Sequence, residues 1–333
     1  MGKAAGAGPT EMVLAARVAR MHLLEDLPKT EIADRLSISR FRVARLLEAA
    51  REMGMVHIEI GMPGVLDAAL SAELASRFDL RYAYVYDFPD DDVSLRRRLG
   101  SAAGAAVSDF ATGEDVIGIA WARSLFGLAR ELTRFPSCEL IQMSGALARF
   151  GGEDLLDLVR SLTRLGAGPA RAFYAPMIVD DAATAMAIRR HPDVAAAFDR
   201  LGTLTIGLVG IGSWTAGLSS IYDALDDPDR AAVAAAGVRA DVSGVFLDPH
   251  GAVRATPLDE RMIVTPPDVL AAIPVVLAVA YDKAKAPAVW AALQGGTVNA
   301  LVTHASLARA VLEYVPDPSL GADQPVAVGA IRG

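Results

Sequence analysis

The sequence predicts an α/β protein: an N-terminal winged helix-turn-helix followed by a Rossmann-like, doubly wound domain. Three observations lead to this prediction. Two short amphipathic helices with a tight turn between them fit residues 29–51. A Gly/Pro-containing stretch interrupts the chain at residues 61–64. Beyond residue 80, short runs rich in β-branched residues alternate with Ala-rich helical stretches, which is the pattern of parallel βα units.

The composition indicates a globular protein whose charge is unevenly distributed. The 333 residues are 53% hydrophobic and only 6% aromatic, which fits a large Ala/Val/Leu-rich core. The net charge is −8, but residues 1–60 hold nine Lys/Arg against eight Asp/Glu. Residues 39–51 hold four Arg and one Glu. Phosphate contacts need only local positive charge, so this distribution permits DNA binding and disfavours a non-specific coating protein.

The helix-turn-helix prediction rests on the apolar spacing within residues 29–51. The turn is Ser37-Ile38-Ser39, in which Ser39 is a good N-cap and Ser37 stands where such turns often have Gly. Residues 53–60 then read as a helix stop at Gly54 followed by an alternating strand, the expected start of a wing. The predicted inner residues are Ile32, Ala33, Leu36, Val43, Leu46 and Leu47.

The second helix of this pair is predicted to enter the major groove of DNA. Its outward face carries side chains that can reach base edges and phosphates. The alternative is two packed helices with a solvated basic face. The residues predicted to bind DNA are Lys29, Thr30, Ser39, Arg40, Arg42, Val43 and Arg45.

The predicted domain boundaries follow these patterns. Residues 1–9 form a disordered tail, residues 10–61 the winged helix-turn-helix, and residues 62–65 a linker. Residues 66–333 form an effector-binding domain with an oligomerisation surface. Thr10 is a possible N-cap of the first helix, and apolar residues from Leu66 to Phe78 predict a helix after the linker.

The effector-binding domain is predicted to contain eight strands with helices between most of them. The strands are Tyr82–Tyr86, Val116–Ala120, Leu140–Met143, Arg171–Tyr174, Leu204–Val209, Asp241–Leu247, Val275–Ala280 and Val298–Val302. Helices include Leu95–Phe110, Ser124–Arg134, Leu155–Leu165 and Ala286–Leu293.

Ligands of such sheets bind at the carboxyl ends of the strands. Ser124, near a helix start, could hold a phosphate with help from Arg123, although an ordinary helix cap explains it equally well. Asp248 could bind sugar hydroxyls or only cap its own turn. Lys285 could neutralise a phosphate or be solvated. The chain lacks both the dinucleotide fingerprint and the P-loop, so no cofactor is expected.

Several other classes are disfavoured by what the chain lacks. The single cysteine, Cys138, excludes an internal disulfide, and the histidines have no metal-ligand spacing, so no metal is expected. No secretory signal is visible and no apolar run is long enough to span a bilayer, so we expect a cytoplasmic protein without membrane partners.

Several motifs in fixed order resemble the SorC family of bacterial sugar-binding transcriptional regulators. They are EIADRLSISRFRVARLLEAARE, VIGIAWARSL, YAPMIVD, LVGIGS, DVSGVFLDPHG and IPVVLAVAYDKAKAPAVWAALQGGTVNALVT, and they cover nearly the whole chain. The resemblance implies an effector domain similar to sugar-phosphate isomerases and CoA transferases. It also implies a dimer or tetramer, acting as repressor or activator, whose affinity for double-stranded operator DNA changes when a small sugar, sugar phosphate or polyol binds.

The resemblance also implies the residues of the effector site. Gly118, Trp121, Arg123 and Ser124 would form the first sugar or phosphate loop. Gln142 and Gly145 would line the pocket, Asp248 would meet hydroxyls, and Lys285 would meet a phosphate.

Two departures from the family pattern concern the ligand. The chain has Tyr281-Asp282 where the family often has Gly-Gly, and 120–124 reads AWARS where the family often has Gly-Trp-Gly-x-Thr. An acidic Asp282 beside a phosphate would be unfavourable, which favours a non-phosphorylated sugar or polyol more than the family average does.

A regulator of this kind is not expected to be an enzyme. Two other functions compete with this interpretation. A sugar-phosphate isomerase-like enzyme with an appended DNA-binding head would need a catalytic carboxylate with an acid/base partner, and only Asp248 and Lys285 are candidates. A structural nucleoid protein is disfavoured by the acidic second domain.

Overall fold

The structure is a computed structural model that describes residues 8–56, 65–88, 94–147 and 154–316. The chain divides into two compact units, Met1–Pro63 and Gly64–Gly333, and each is described by itself.

The N-terminal unit contains three helices: α1 (Pro9–Leu23), α2 (Lys29–Leu36) and α3 (Arg40–Glu52). Helix α1 begins after Gly8, so Thr10 is not its N-cap as the sequence suggested; Pro9 occupies the first helical position, where its fixed φ is suitable. The three helices bury one apolar cluster, composed of Ala15, Val18, Ala19, Met21, Ile32, Ala33, Val43, Leu46, Leu47 and Ala50.

The turn between α2 and α3 has the geometry that the sequence predicted. Ser37 adopts a left-handed backbone conformation with φ 52°, which L-residues with a side chain adopt at some cost. The N–H of Ile38 donates to the Ala33 carbonyl at 3.0 Å, and this closes the end of α2. Ser39 caps α3 by accepting a 3.2 Å hydrogen bond from the Arg42 N–H. The predicted wing strand falls largely on residues 57–60, which lie outside the described residues.

The C-terminal unit alternates strands and helices. The strands are β1 (Val65–Leu66), β2 (Tyr82–Asp87), β3 (Val116–Ile119), β4 (Glu139–Gln142), β5 (Ala170–Arg171), β6 (Ile206–Ser213), β7 (Ala240–Val242), β8 (Val245–Leu247), β9 (Val275–Val279) and β10 (Ala300–His304). The helices are α4 (Ala68–Phe78), α5 (Leu95–Phe110), α6 (Leu155–Arg164), α7 (Ala182–Arg189), α8 (Pro192–Phe198), α9 (Ser220–Ala224), α10 (Asp227–Ala235), α11 (Pro267–Ala272), α12 (Ala286–Gln294) and α13 (Ala305–Glu313).

The strands form one sheet in the order β1-β2-β10-β9-β6-β3-β4-β5. All neighbours from β2 to β5 in this order pair in parallel, and β1 pairs antiparallel at one edge. From β3 the chain continues through β4 and β5 to one side, and from β6 through β9 and β10 to the other. The winding direction therefore reverses between β3 and β6, which is the switch point where ligands bind in doubly wound sheets.

The sheet is buried on both faces. Along β9, Val276 and Ala278 belong to the apolar cluster that includes α4, α12 and α13. Val275, Leu277 and Val279 alternate with them and join the cluster on the other face, with α5 and α6. This confirms the predicted doubly wound α/β architecture.

Some predicted elements differ from the structure. Residues 241–247 form the hairpin β7–β8, because Ser243 and Gly244 both have positive φ and turn the chain. No α-helix forms at residues 124–134, where one was predicted. A single 3₁₀ turn, Arg123–Leu125, stands at the start of this segment. The reason is close packing on α5: a Cβ on Gly127 would lie 2.4 Å from the Arg97 carbonyl oxygen.

Two further boundaries shift. The helix expected from Leu66 begins at Ala68, because the Asp67 carboxylate caps it by accepting from the Leu70 N–H at 3.0 Å. The strand expected at 171–174 is reduced to β5, two residues at the edge of the sheet.

Candidate DNA-binding surface and effector pocket

The candidate DNA-binding surface consists of the solvent face of α3 and the start of α2. Ser39, Arg40, Arg42 and Arg45 are all exposed, and Thr30 is exposed beside a half-buried Lys29. Val43 differs from these predicted contacts. Its side chain is fully buried in the three-helix core, so it holds α3 in place and does not face DNA.

Sequence reasoning missed one residue of this surface. Phe41 projects from the first turn of α3 with 85% of its side-chain and backbone surface exposed, the largest exposure among the large apolar residues of the described chain. The signal available in the sequence was its position: a large apolar residue stands outside the buried spacing that Val43, Leu46 and Leu47 define.

A pocket lies at the switch point of the sheet, where β3 and β6 end. Its wall combines the segment after β3, the end of β6, the β7–β8 hairpin and the turn that leads into α12. The residues that line it include Trp121, Arg123, Ser124, Gly212, Asp241, Tyr281 and Lys285. The pocket is small and partly open, with a volume of about 50 Å³, which is room for a few water molecules.

Lys285 is the buried cation of this pocket. It stands at the end of a 3₁₀ turn, Lys283–Lys285, and only 7% of its surface is exposed. Its Nζ donates a 2.8 Å hydrogen bond to the Ile211 carbonyl at the end of β6 and lies 5.1 Å from the centre of the Tyr281 ring. The side chain is therefore held in the pocket and is not the solvated lysine of the alternative interpretation.

Asp241 is the buried carboxyl group of the pocket, and the sequence analysis did not identify it. It lies on β7 opposite Gly212 of β6, and its Oδ2 accepts a 2.7 Å hydrogen bond from the Ser219 hydroxyl. Gly212 leaves the space that this carboxylate fills, since a Cβ there would lie 2.1 Å from Oδ2. The residue was missed because the hairpin, and not the end of a long strand, brings it to the pocket.

Burial moves both groups toward their neutral forms. Desolvation lowers the pKa of Lys285 to about 8, opposed by the negative charge of Asp241. Desolvation also raises the pKa of Asp241, opposed by the Ser219 hydrogen bond and the charge of Lys285. The pocket thus holds one buried amino group and one buried carboxyl group.

The segment after β3 supplies a second cation. Arg123 and Ser124 line the same pocket as Lys285, with Ser124 buried and Arg123 half-buried. Trp121 is also buried there, and its backbone N–H donates to the Ser144 hydroxyl oxygen at 2.9 Å. The structure therefore brings four of the predicted effector residues together: Trp121, Arg123, Ser124 and Lys285.

Three other predicted effector residues serve the fold at the places they occupy. Gly118 lies inside β3, where a Cβ would come within 2.5 Å of the Met143 sulfur. Gly145 lets its backbone pass the Pro176 carbonyl, which a Cβ would approach to 2.3 Å. The Gln142 amide bridges the Ser144 carbonyl at 2.8 Å and the Phe173 N–H at 3.0 Å.

Asp248 is occupied by its own turn and does not line the pocket. One oxygen accepts from the N–H groups of His250 at 2.8 Å and Ala252 at 3.0 Å. The other pairs with the Arg254 guanidinium at 2.9 Å. The capping interpretation of this residue therefore replaces the hydroxyl-binding one.

One of the two departures from the family pattern, Tyr281-Asp282, lies at the turn before Lys285. Asp282 has φ 76°, in the region that favours glycine, and is exposed; its carboxylate accepts from the Ala284 N–H at 2.9 Å. Tyr281 lines the pocket instead. Asp282 is not part of the pocket wall, although its negative charge still acts on Lys285.

A larger cavity of about 780 Å³ lies beside this pocket and shares Leu147 with it; Phe173, Tyr174 and Leu155 are also in its wall. Gln142 lines this cavity and not the switch-point pocket. Within the described ranges, no group of three or more His, Cys, Asp or Glu side chains could hold a metal ion. Of the helices described, none combines the length and apolar character needed to cross a membrane.

Comparison with known proteins shows the family to which the chain belongs. The family model described as "Putative sugar-binding domain" matches residues 65–313. The transcriptional regulator LsrR of Enterobacter sp. (strain 638) is 28% identical over 320 residues, covering 92% of this chain and 95% of that protein. LsrR of Klebsiella pneumoniae is 27% identical over the same length. The crystal structure of the full-length sorbitol operon regulator SorC from Klebsiella pneumoniae superposes with a TM-score of 0.67 at 21% identity, covering 91% of this chain and 100% of that chain. The chain belongs to the SorC family of sugar-binding transcriptional regulators.

Proposed function

We propose that the protein binds double-stranded operator DNA through α2 and α3, and that a small carbohydrate bound in the switch-point pocket controls this binding. The observation that carries the proposal is the buried Lys285 and Asp241 facing one small pocket at the switch point, in a chain that also has an exposed, arginine-rich α3. The protein would act in the cytoplasm, where bacterial DNA lies.

The effector in this proposal is a small phosphorylated sugar or polyol. Lys285, Arg123 and Ser124 supply two positive charges and a hydroxyl, which suit a phosphate. Asp241 supplies an acceptor for a sugar hydroxyl. With Asp282 turned to its own backbone, the pocket residues favour an anion over the neutral ligand that the sequence alone suggested.

The pocket is small as it stands, about 50 Å³, so a hexose phosphate would be covered more fully after the loops of the pocket wall rearrange. An effector that binds better to the rearranged loops has different affinities for the two arrangements of the protein. That difference is what a ligand needs in order to change affinity for DNA.

A thermal-shift panel tests this proposal with the full-length protein. Sugar phosphates, the matching free sugars and polyols, and inorganic phosphate are compared, since ligands of the folded state raise Tm. We expect Tm to rise with sugar phosphates and not with the free sugars. A rise with free sugars or polyols alone would contradict the phosphate contacts, and no rise with any carbohydrate would contradict the effector site.

Two glycine variants show whether the switch-point pocket is the site of binding. Gly212→Ala places a methyl group against Asp241 and Ser219, so we expect the ligand-induced rise in Tm to be lost. Gly202→Ala is the matched control, because no atom lies within 4 Å of the added Cβ. An undiminished response in Gly212→Ala would place the ligand elsewhere.

In this proposal the protein binds DNA as a dimer or a larger assembly of identical chains. The reason is that the two half-sites of a palindromic operator need two recognition helices. Sedimentation of the protein with and without DNA measures this. The enzyme alternative has lost support, because the relatives are named transcriptional regulators and Asp248 is held by Arg254 and its own turn.

A further inference from the structure

We infer that Phe41 reads the 5-methyl group of a thymine in the operator and is a specificity-determining residue of this protein. The inference rests on the proposed binding of α3 in the major groove, and it adds a base identity to that proposal. Phe41 is not among the residues that the basic pattern of the sequence picked out.

The direction of the side chain is the first argument. Successive residues are about 100° apart around a helix, and the buried side chains of Val43, Leu47 and Ala50 mark the inner face of α3. Phe41 lies close to the opposite direction, in the first turn of the helix. This is the part of a recognition helix whose side chains reach farthest toward base edges.

The chemistry of the neighbours is the second argument. Arg40 and Arg42 flank Phe41 along the chain, and Arg45 follows it one turn later on the same face. Three exposed guanidinium groups around one ring are suited to a surface that meets phosphates. The phenyl ring is uncharged and has no donor to offer a phosphate, so it has a different role from the arginines beside it on the helix.

The choice of base follows from what the major groove displays. An exposed phenyl ring is unfavourable in water and gains by covering apolar surface. Among the base edges in the major groove, the 5-methyl group of thymine is the apolar one, and Phe is a side chain that contacts it. A ring placed among arginines on a groove-reading helix therefore fits a thymine.

The test starts with selection of bound sequences from a random duplex library by the full-length protein. In the selected operator, each thymine is then replaced in turn by deoxyuridine, which removes only the methyl group. We expect one thymine per half-site whose replacement weakens binding roughly three- to fivefold, the effect of one lost apolar contact. Phe41→Ala should remove this difference between thymine and deoxyuridine and leave the remaining sequence preferences in place.

The control variant is Val13→Ala, an exposed apolar residue on α1, which should keep the thymine preference unchanged. Because Phe41 is exposed, its replacement should leave Tm unchanged. If Phe41→Ala keeps the difference between thymine and deoxyuridine, the inference is wrong and operator binding stands. If Phe41→Ala alters the sedimenting mass instead, the ring contacts protein, and the inference is equally wrong. If the native protein enriches no sequence, the proposed DNA reading fails, and the inference fails with it.

Discussion

At the scale of single residues, the burial of Lys285 gives effector binding a pH dependence. Its pKa of about 8 leaves it charged at pH 7 and largely neutral at pH 9. A phosphate binds the charged form better, so we expect affinity for a sugar phosphate to fall as pH rises through 8, by up to about tenfold at pH 9. Calorimetric titration at both pH values measures this, and Lys285→Met should give weaker and nearly pH-independent binding. Constant affinity of the native protein would refute the role of this lysine.

The same lysine affects stability with a definite sign. Its pKa is lower in the folded chain than the ordinary value of 10.5, so the unfolded chain holds more protons between these values. The contribution of Lys285 to the free energy of unfolding therefore rises with pH from about 8 to 10.5 and is constant below this window.

Asp248 is a residue whose importance we expect to be structural. Asp248→Ala removes the carboxylate from a buried ion pair with Arg254 and from two turn N–H groups. The free energy of unfolding should fall by about 3 kcal/mol, measured by urea unfolding with fluorescence of the tryptophans, all of which lie in the C-terminal unit. Asp193→Ala, at an exposed carboxylate, is the control. If effector affinity in Asp248→Ala falls more than stability explains, the hydroxyl-binding role returns.

At the scale of secondary-structure elements, the turn between α2 and α3 carries a strained residue. Ser37 has φ 52°, and glycine relieves this strain. We expect Ser37→Gly to stabilise the N-terminal unit by about 1 kcal/mol, seen as slower amide hydrogen exchange in peptides that cover α2 and α3. Asp79→Gly, at an equivalent left-handed position with φ 51° after α4, should protect only the C-terminal unit. Faster exchange in α3 of Ser37→Gly would show that Ser37 stabilises the turn in another way.

The elements also show what the sequence can and cannot predict. The strands of the parallel sheet were predictable because burial on both faces selects continuous apolar runs. Helix α5 was predictable because its buried residues recur at helical spacing. The hairpin β7–β8 was not, although the dipeptide Ser243-Gly244 inside an apolar run was the available turn signal. The helix expected after Ser124 failed because tertiary packing of Gly127 against α5 overrides local helical spacing.

The effector pocket was predictable to the extent that its residues directly follow parallel strands. Trp121, Arg123, Ser124 and Lys285 all do so, or lie one turn beyond. Asp241 was missed because it reaches the pocket through a hairpin that pairs with the far end of β6. Gly118 and Gly145 were misassigned because glycine that permits close packing and glycine that admits a ligand look identical in sequence.

At the scale of the whole molecule, effector and operator must influence each other by the same factor. If the effector weakens operator binding, a bound operator weakens effector binding equally. The effector affinity of the native protein is measured by titration with and without operator duplex, and operator affinity by anisotropy with and without effector. The two ratios should be equal. Each typically lies between about 5 and 150. Gly212→Ala should keep basal operator affinity and show no effect of the carbohydrate. Unequal ratios for the native protein would show that a third equilibrium, such as assembly, is involved.

The pocket wall comes from separate segments anchored on one rigid sheet: the segment after β3, the β7–β8 hairpin and the turn before α12. Each segment supplies one ionisable head group close to the pocket, namely Arg123, Asp241 or Lys285. Substitutions in one segment can therefore alter recognition of one part of a ligand while the core and the other two groups stay in place. For biosensor engineering, we expect that libraries confined to a single segment can shift the preferred effector stepwise, with a folded parent available at each step.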